Sequence, residues 1–89
     1  MVLTPAAERQ LDRLSGVRLA ALRGVILALR HEPVPDHAAK LTGTSDLWRI
    51  RLRIQGEPWR VVYQLRKRER LIVVTRVVRR NEGTYRGTR

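Results

Sequence analysis

Apolar residues change their spacing once along this chain. Up to about position 31 they return every third or fourth residue, and from Asp46 onward they return every second, which are the periods of a helix face and of a strand face. Thr4-Pro5 opens the first helical stretch, with a threonine able to cap and a proline at the first helical position, where its missing N–H costs nothing. Ala7, Leu11 and Leu14 then share one face. Ser15-Gly16 interrupts the pattern, and a second helix is predicted from about Val17 to His31, with Leu19, Leu22, Ile26 and Leu29 on a single stripe. The two make a helical hairpin. Pro33 and Pro35 end it and begin a polar connector through Lys40-Leu41-Thr42-Gly43, read here as irregular.

Three strands follow. In the first, Trp48, Ile50, Leu52 and Ile54 point one way and Arg49, Arg51 and Arg53 the other. After a turn at Gln55-Gly56-Glu57-Pro58, Trp59, Val61, Tyr63 and Leu65 alternate with Arg60, Val62, Gln64 and Arg66, repeating the division less strictly in the second strand. Lys67-Arg68-Glu69-Arg70 makes the next turn. The third strand, Leu71 to Val78, is apolar on both faces apart from Thr75 and Arg76, as suits a central strand covered on at least one side. The helices are expected to cover one face of this sheet, within a single domain spanning residues 1–89. A chain this short buries only roughly 60–65% of its unfolded surface and has no material for a second core.

Charge adds a direction to this scaffold. Of a formal net charge of +11, residues 1–45 carry +2 and residues 46–89 carry +9, and seventeen of the nineteen cations are arginine. Concentrated positive charge calls for an anionic partner, nucleic acid above all, because each phosphate neutralised releases condensed counterions. An acidic protein segment would serve as well. The absence of cysteine excludes disulfides, thiolate nucleophiles and cysteine-based zinc sites, and two histidines are too few for a metal site of their own. No metal or other cofactor is expected. No apolar run approaches the roughly 20 residues of a membrane span, and the N-terminus does not read as a signal peptide, so a cytoplasmic protein is expected.

The candidate chemistry lies on the strands. Arg49, Arg51 and Arg53 stand about 7 Å apart along one strand face, near the spacing of successive phosphates, and no acid interrupts them. If the strands pair as hairpins, Arg60 and either Arg76 or Arg80 can converge on that face, with Glu57 and Glu69 in the turns relieving some repulsion. Trp48 and Tyr63 fall on apolar faces and read as core. Trp59 sits beside a turn. Tyr85 stands in the polar tail Asn81-Glu82-Gly83-Thr84-Tyr85-Arg86, where its ring could stack on a base, its hydroxyl could move a proton, or the side chain could plug the sheet edge. His31 and His37 read as surface residues. There is no nucleophilic triad, no glycine-rich phosphate loop and no paired carboxylates at catalytic spacing.

The segments "LTPAAERQLDRL", "KLTGTSDLWRIRLRI", "WRVVYQL" and "VTRVVRRNEGTYR", in this order and spacing, resemble the RelE/ParE superfamily of bacterial toxins from type II toxin–antitoxin systems. "WRVVY" is the most specific mark. The resemblance implies an α+β fold, an N-terminal helical hairpin on a small, mostly antiparallel β-sheet. Its RelE-like branch implies a ribosome-dependent endoribonuclease that enters the decoding site and cuts messenger RNA by attack of the 2′-OH on the adjacent phosphate. The catalytic positions then fall on Arg49, Arg51, Arg60, Arg80 and Tyr85, with Arg53, Arg76 and Arg79 as further nucleic-acid contacts. Arginines would clamp the scissile phosphate and offset developing charge. Arginine is a poor general base, so the proton acceptor stays open between Glu82, Tyr85 and a phosphate-activated water. The implied partners are the ribosome, messenger RNA and a cognate antitoxin covering the cationic face or the helical hairpin. The ParE-like branch implies a DNA gyrase inhibitor instead, and a non-catalytic RNA- or ribosome-binding relative is the third reading. Relatives begin with a full strand, whereas only Met1-Val2-Leu3 precede Thr4 here, which points to a vestigial edge strand or a shortened start.

Overall fold

The computed structural model describes residues 1–41, 43 and 46–79. Seven elements follow one another: β1 (Val2–Leu3), α1 (Pro5–Asp12), α2 (Gly16–Ala28), β2 (Ala38–Lys40), β3 (Leu47–Ile54), β4 (Glu57–Arg66) and β5 (Leu71–Arg79). The strands form one sheet in the order β1-β5-β4-β3-β2, antiparallel except for the parallel pair of β1 with β5. The expected α+β architecture is therefore present. Three of the five strands are those the alternation predicts.

Thr4 begins α1 as its sequence suggests. Its backbone is extended, its hydroxyl accepts the Ala7 N–H at 3.3 Å, and Pro5 occupies the first turn. Gly16, at φ +60°, supplies the left-handed conformation needed between the helices. The second helix ends three residues earlier than its apolar stripe predicts. Arg30 and His31 donate to carbonyls three residues back, at 3.1 Å each, tightening the last turn, and Pro33 disfavours helix at the residue before it. Leu29 still reaches the core from this turn.

The connector corrects a second expectation. Ala38–Lys40 is an edge strand paired with Ile50, Arg49 and Trp48, too short to register as an alternation. At the next corner, only Gln55 and Gly56 turn the chain, with φ of 51° and 82°, the primed two-residue hairpin that matches strand twist. Glu57 and Pro58 consequently belong to β4. Pro58 is tolerated in this central strand because pairing with β5 begins only at Trp59, leaving no ladder partner for its missing N–H among the described residues.

The core lies between the helical hairpin and one sheet face. Ala7, Leu11, Leu22, Ile26 and Leu29 meet Ile50, Ile54, Trp59, Val61, Tyr63, Ile72, Val74 and Val77, with Trp48, Leu52 and Leu65 packed at its margin. Tyr63 is fully buried and donates its hydroxyl to the Pro33 carbonyl at 2.6 Å, tying the connector to the sheet. Burial pushes this phenol up from its ordinary value.

One irregularity governs the other face. Tyr63 pairs with Val74, but Val62 pairs with Arg76, so Thr75 is an extra residue without a cross-strand partner. This β-bulge reverses the side-chain parity of β5. Ile72 and Val74 face the core before it and Val77 after it, while Arg76 falls on the opposite side.

Candidate nucleic-acid interface

No helix covers the second face of the sheet among the described residues. Directly paired residues share a face in an antiparallel ladder, so the registers give its composition row by row. Ala39, Arg49, Val62 and Arg76 form one row; Arg51, Arg60 and Val78 the next; Arg53 and Pro58 the last before the turn. Five arginines from three strands thus share one face with Val62, which is only 8% exposed. The grouping of Arg49, Arg51, Arg53, Arg60 and Arg76 realises the convergence that the alternation suggested.

The electrostatics of this cluster are strained. Arg51 and Arg60 are opposite each other, a separation of about 4.5–5.5 Å between Cβ atoms, where like charges destabilise. Desolvation lowers the Arg60 pKa from its ordinary value, and the charges of Arg51 and Arg76 lower it further. Arg49 is lowered likewise, first by desolvation and then by Arg51 and Arg60. A guanidinium does not release its proton in a protein. The repulsion instead persists as an attraction for any anion that enters.

The acids of the two turns do not relieve it, contrary to expectation. Glu57 lies on the helix side of β4, accepting from Arg18 Nε at 2.8 Å and from Arg79 Nη1 at 3.0 Å. The Arg18 hydrogen bond is the largest of the influences that hold the Glu57 carboxyl below its ordinary value. Glu69 pairs with Arg66 at 3.0 Å. Arg53 donates to the Gly56 carbonyl at 3.1 Å across the hairpin turn, which steadies one end of the arginine row.

Arg79 is not brought into the cluster. It pairs with Trp59 and reaches Glu57 at the rim of the helix side, because the bulge reverses parity for everything beyond Thr75. Arg80, Glu82 and Tyr85 lie outside the described residues. Trp59 is buried at 6% exposure, and its Nε1 has no hydrogen-bond partner among the described residues. His31 and His37 are exposed. Sequence reasoning missed the bulge and the Arg18–Glu57–Arg79 bridge. Neither left a signal, since valines at 73, 74, 77 and 78 satisfy strict alternation on either parity and only burial distinguishes Val74 and Val77.

An open cationic face, a covered apolar face and no metal-binding group of three among the described residues suit binding of a phosphate backbone by charge and position. No described helix is long and apolar enough to cross a membrane.

Comparison with known proteins supports the same fold. The isolated E. coli RelE toxin superposes with a TM-score of 0.75 at 20% identity, over 98% of this chain and 92% of that one. RelE in the intact E. coli RelBE toxin–antitoxin complex gives 0.75 at 22% identity, over 91% and 95%. An arginine-substituted E. coli RelE bound to an antitoxin RelB peptide gives 0.75 at 21%, over 98% and 88%. No curated protein matches the sequence. The family model for the ParE toxin of type II toxin–antitoxin systems, parDE, matches residues 1–83, nearly the whole chain, and the protein accordingly belongs to this family of toxins.

Proposed function

We propose that this toxin acts on RNA: it grips messenger RNA on the open arginine face and cleaves it on the ribosome, so inhibiting translation. The observation that carries this reading is the gathering of Arg49, Arg51, Arg60 and Arg76 on one open face of the sheet. Guanidinium groups held at this spacing bind successive phosphates, and they stabilise a phosphorane-like charge without supplying or removing protons. Attack by the neighbouring 2′-OH makes the RNA its own nucleophile: the new O2′–P bond gives a 2′,3′-cyclic phosphate as the P–O5′ bond breaks, the hydroxyl proton passing to water and the 5′ oxygen taking one from water, which suits a chain without a cysteine nucleophile. Arg80 and Tyr85 complete the proposed catalytic set, the first on the scissile phosphate and the second stacked on or orienting a base. The solved RelBE complex supports a cognate antitoxin as the partner that holds the toxin in check, and the cytoplasm, where ribosomes are, is the proposed location.

The match to the parDE toxin model favours a second reading, inhibition of DNA gyrase through the same surface. The two separate cleanly in one experiment. Purified protein is incubated with ribosomes programmed with a defined message, new 5′ ends are mapped by primer extension, and gyrase supercoiling is assayed in parallel. New ends at the decoding site with unaffected supercoiling support the nuclease. Intact message with supercoiling blocked supports the gyrase inhibitor and overturns the nuclease.

A further inference from the structure

We infer that the cavity beside Trp48 is a second nucleic-acid site, in which a base of a single strand stacks on the indole while its phosphates meet Lys40, Lys67 and Arg68. Its joining to the arginine face rests on reading that face as the RNA site. The cavity lies at the end of the sheet formed by the close of β2, the start of β3 and the β4–β5 turn, and measures about 330 Å³. That is the low end for small-ligand pockets, room for one nucleotide. Trp48 and Leu65 give it an apolar wall. Trp48 has the parity of the core, yet it is only half-buried, whereas Tyr63, directly opposite it on β4, is fully buried. An indole that packs at the margin of the core and also borders an open cavity leaves part of its surface to another flat ring.

The rim supplies the charge. Lys40, Lys67 and Arg68 line the cavity and are exposed. Lys40 stands directly opposite Trp48 on β2, about 4.5–5.5 Å away between Cβ atoms. The acids that share the lining are engaged within it or beside it: Asp46 accepts from Gln64 Nε2 at 2.8 Å, and Glu69 from Arg66 Nε at 3.0 Å. An aromatic ring flanked by anions is the repeating unit of a nucleic-acid strand, and a stacking platform ringed by cations is its complement. Topology connects this site to the arginine face. Trp48 and Arg49 are neighbours of opposite parity on β3, and only β2 separates β3 from the sheet edge. A strand leaving Arg49 passes over Ala39, its partner on β2, and rounds an edge one strand wide, about 4.8 Å, to reach Lys40. A flexible single strand can make that turn, whereas a stiff duplex cannot.

The full chain has two tryptophans, so its two indole N–H resonances report separately on the cavity and on Trp59 in the core. Single-stranded oligoadenylate is expected to shift the Trp48 resonance and leave that of Trp59 in place, and adenosine 5′-monophosphate to do the same at higher concentration. The same strand annealed to oligouridylate should leave both in place. Trp48→Leu should weaken oligoadenylate binding about 5- to 150-fold, the worth of one stacked base. Lys67→Ala and Arg68→Ala should each lower the slope of log affinity on log salt by about 0.7, and, being exposed, they carry the test if Trp48→Leu does not fold. An unmoved Trp48 resonance with unchanged salt slopes overturns the inference. A shift produced only by a polyglutamate peptide overturns it in favour of a protein partner, and an equal shift from the duplex overturns the single-strand path around the edge. Arg49→Ala separates the two sites. If it weakens binding while the cavity variants do not, the cavity falls and the arginine face stands; if the cavity variants weaken binding and Arg49→Ala does not, the cavity stands and the reading of the arginine face falls.

Discussion

Arg51 and Arg60 stand directly opposite each other on neighbouring strands, and the charge of Arg51 is among the influences that lower the Arg60 pKa. The fold holds two like charges together that would be further apart in the unfolded chain. Arg51→Ala is therefore expected to raise the melting temperature, by about 1–5 °C for a chain of this size, while weakening RNA binding. Thermal scans at low and high salt check this. The gain should shrink as salt screens the pair, and a loss of stability at low salt would contradict it.

Glu57 joins α2, β4 and β5 through Arg18 and Arg79. Its folded pKa lies below the ordinary value of 4.5, so the unfolded chain binds its proton first as pH falls. The stabilisation is complete above that value and is lost as pH drops through and below it. Glu57→Gln should lower the melting temperature at pH near 7 and leave a flatter dependence between neutral and acid pH. An unaltered acid limb would show that the bridge contributes nothing.

Tyr63 is the opposite case. Burial raises its pKa above 10.0, so its contribution is complete below that value and is lost as pH rises through the folded pKa. In a Tyr85→Phe background Tyr63 is the single tyrosine, and phenolate absorbance should appear only as the protein unfolds in alkali. Tyr63→Phe, which strips the Pro33 carbonyl of its donor, should cost about 1 kcal/mol at neutral pH.

Leu22 is fully buried where α2 meets the sheet. Leu22→Ala should destabilise by about 2–5 kcal/mol in denaturant titration, and its effect should add to that of Arg51→Ala, because the two sit on opposite faces of the sheet.

Much of this fold is legible in the sequence. Strand parity alone set Arg49, Arg51 and Arg53 against Ile50, Leu52 and Ile54, because burial of one face imposes the other. Elements whose existence depends on a partner were not legible. Ala38–Lys40 becomes a strand because β3 offers it an edge, and the bulge at Thr75 lies where Thr4 and Gln10, distant in sequence, hydrogen-bond the backbone of β5. Glu57 was visible as a turn acid, yet its side was misjudged. The two-residue turn at Gln55-Gly56 places it in the strand, on the parity of Trp59.

The strict alternation of β3 has a genetic consequence. Core and site share one strand, so inserting or deleting a residue within Trp48–Ile54 turns hydrophobic side chains outward as it turns arginines inward, and the product is an unfolded chain. Single codon changes at the arginines do the reverse: on the proposed reading of that face they are expected to remove activity while easing the fold. Lineages escaping this toxin should therefore disarm it by arginine substitution, leaving folded, harmless copies that still occupy the antitoxin.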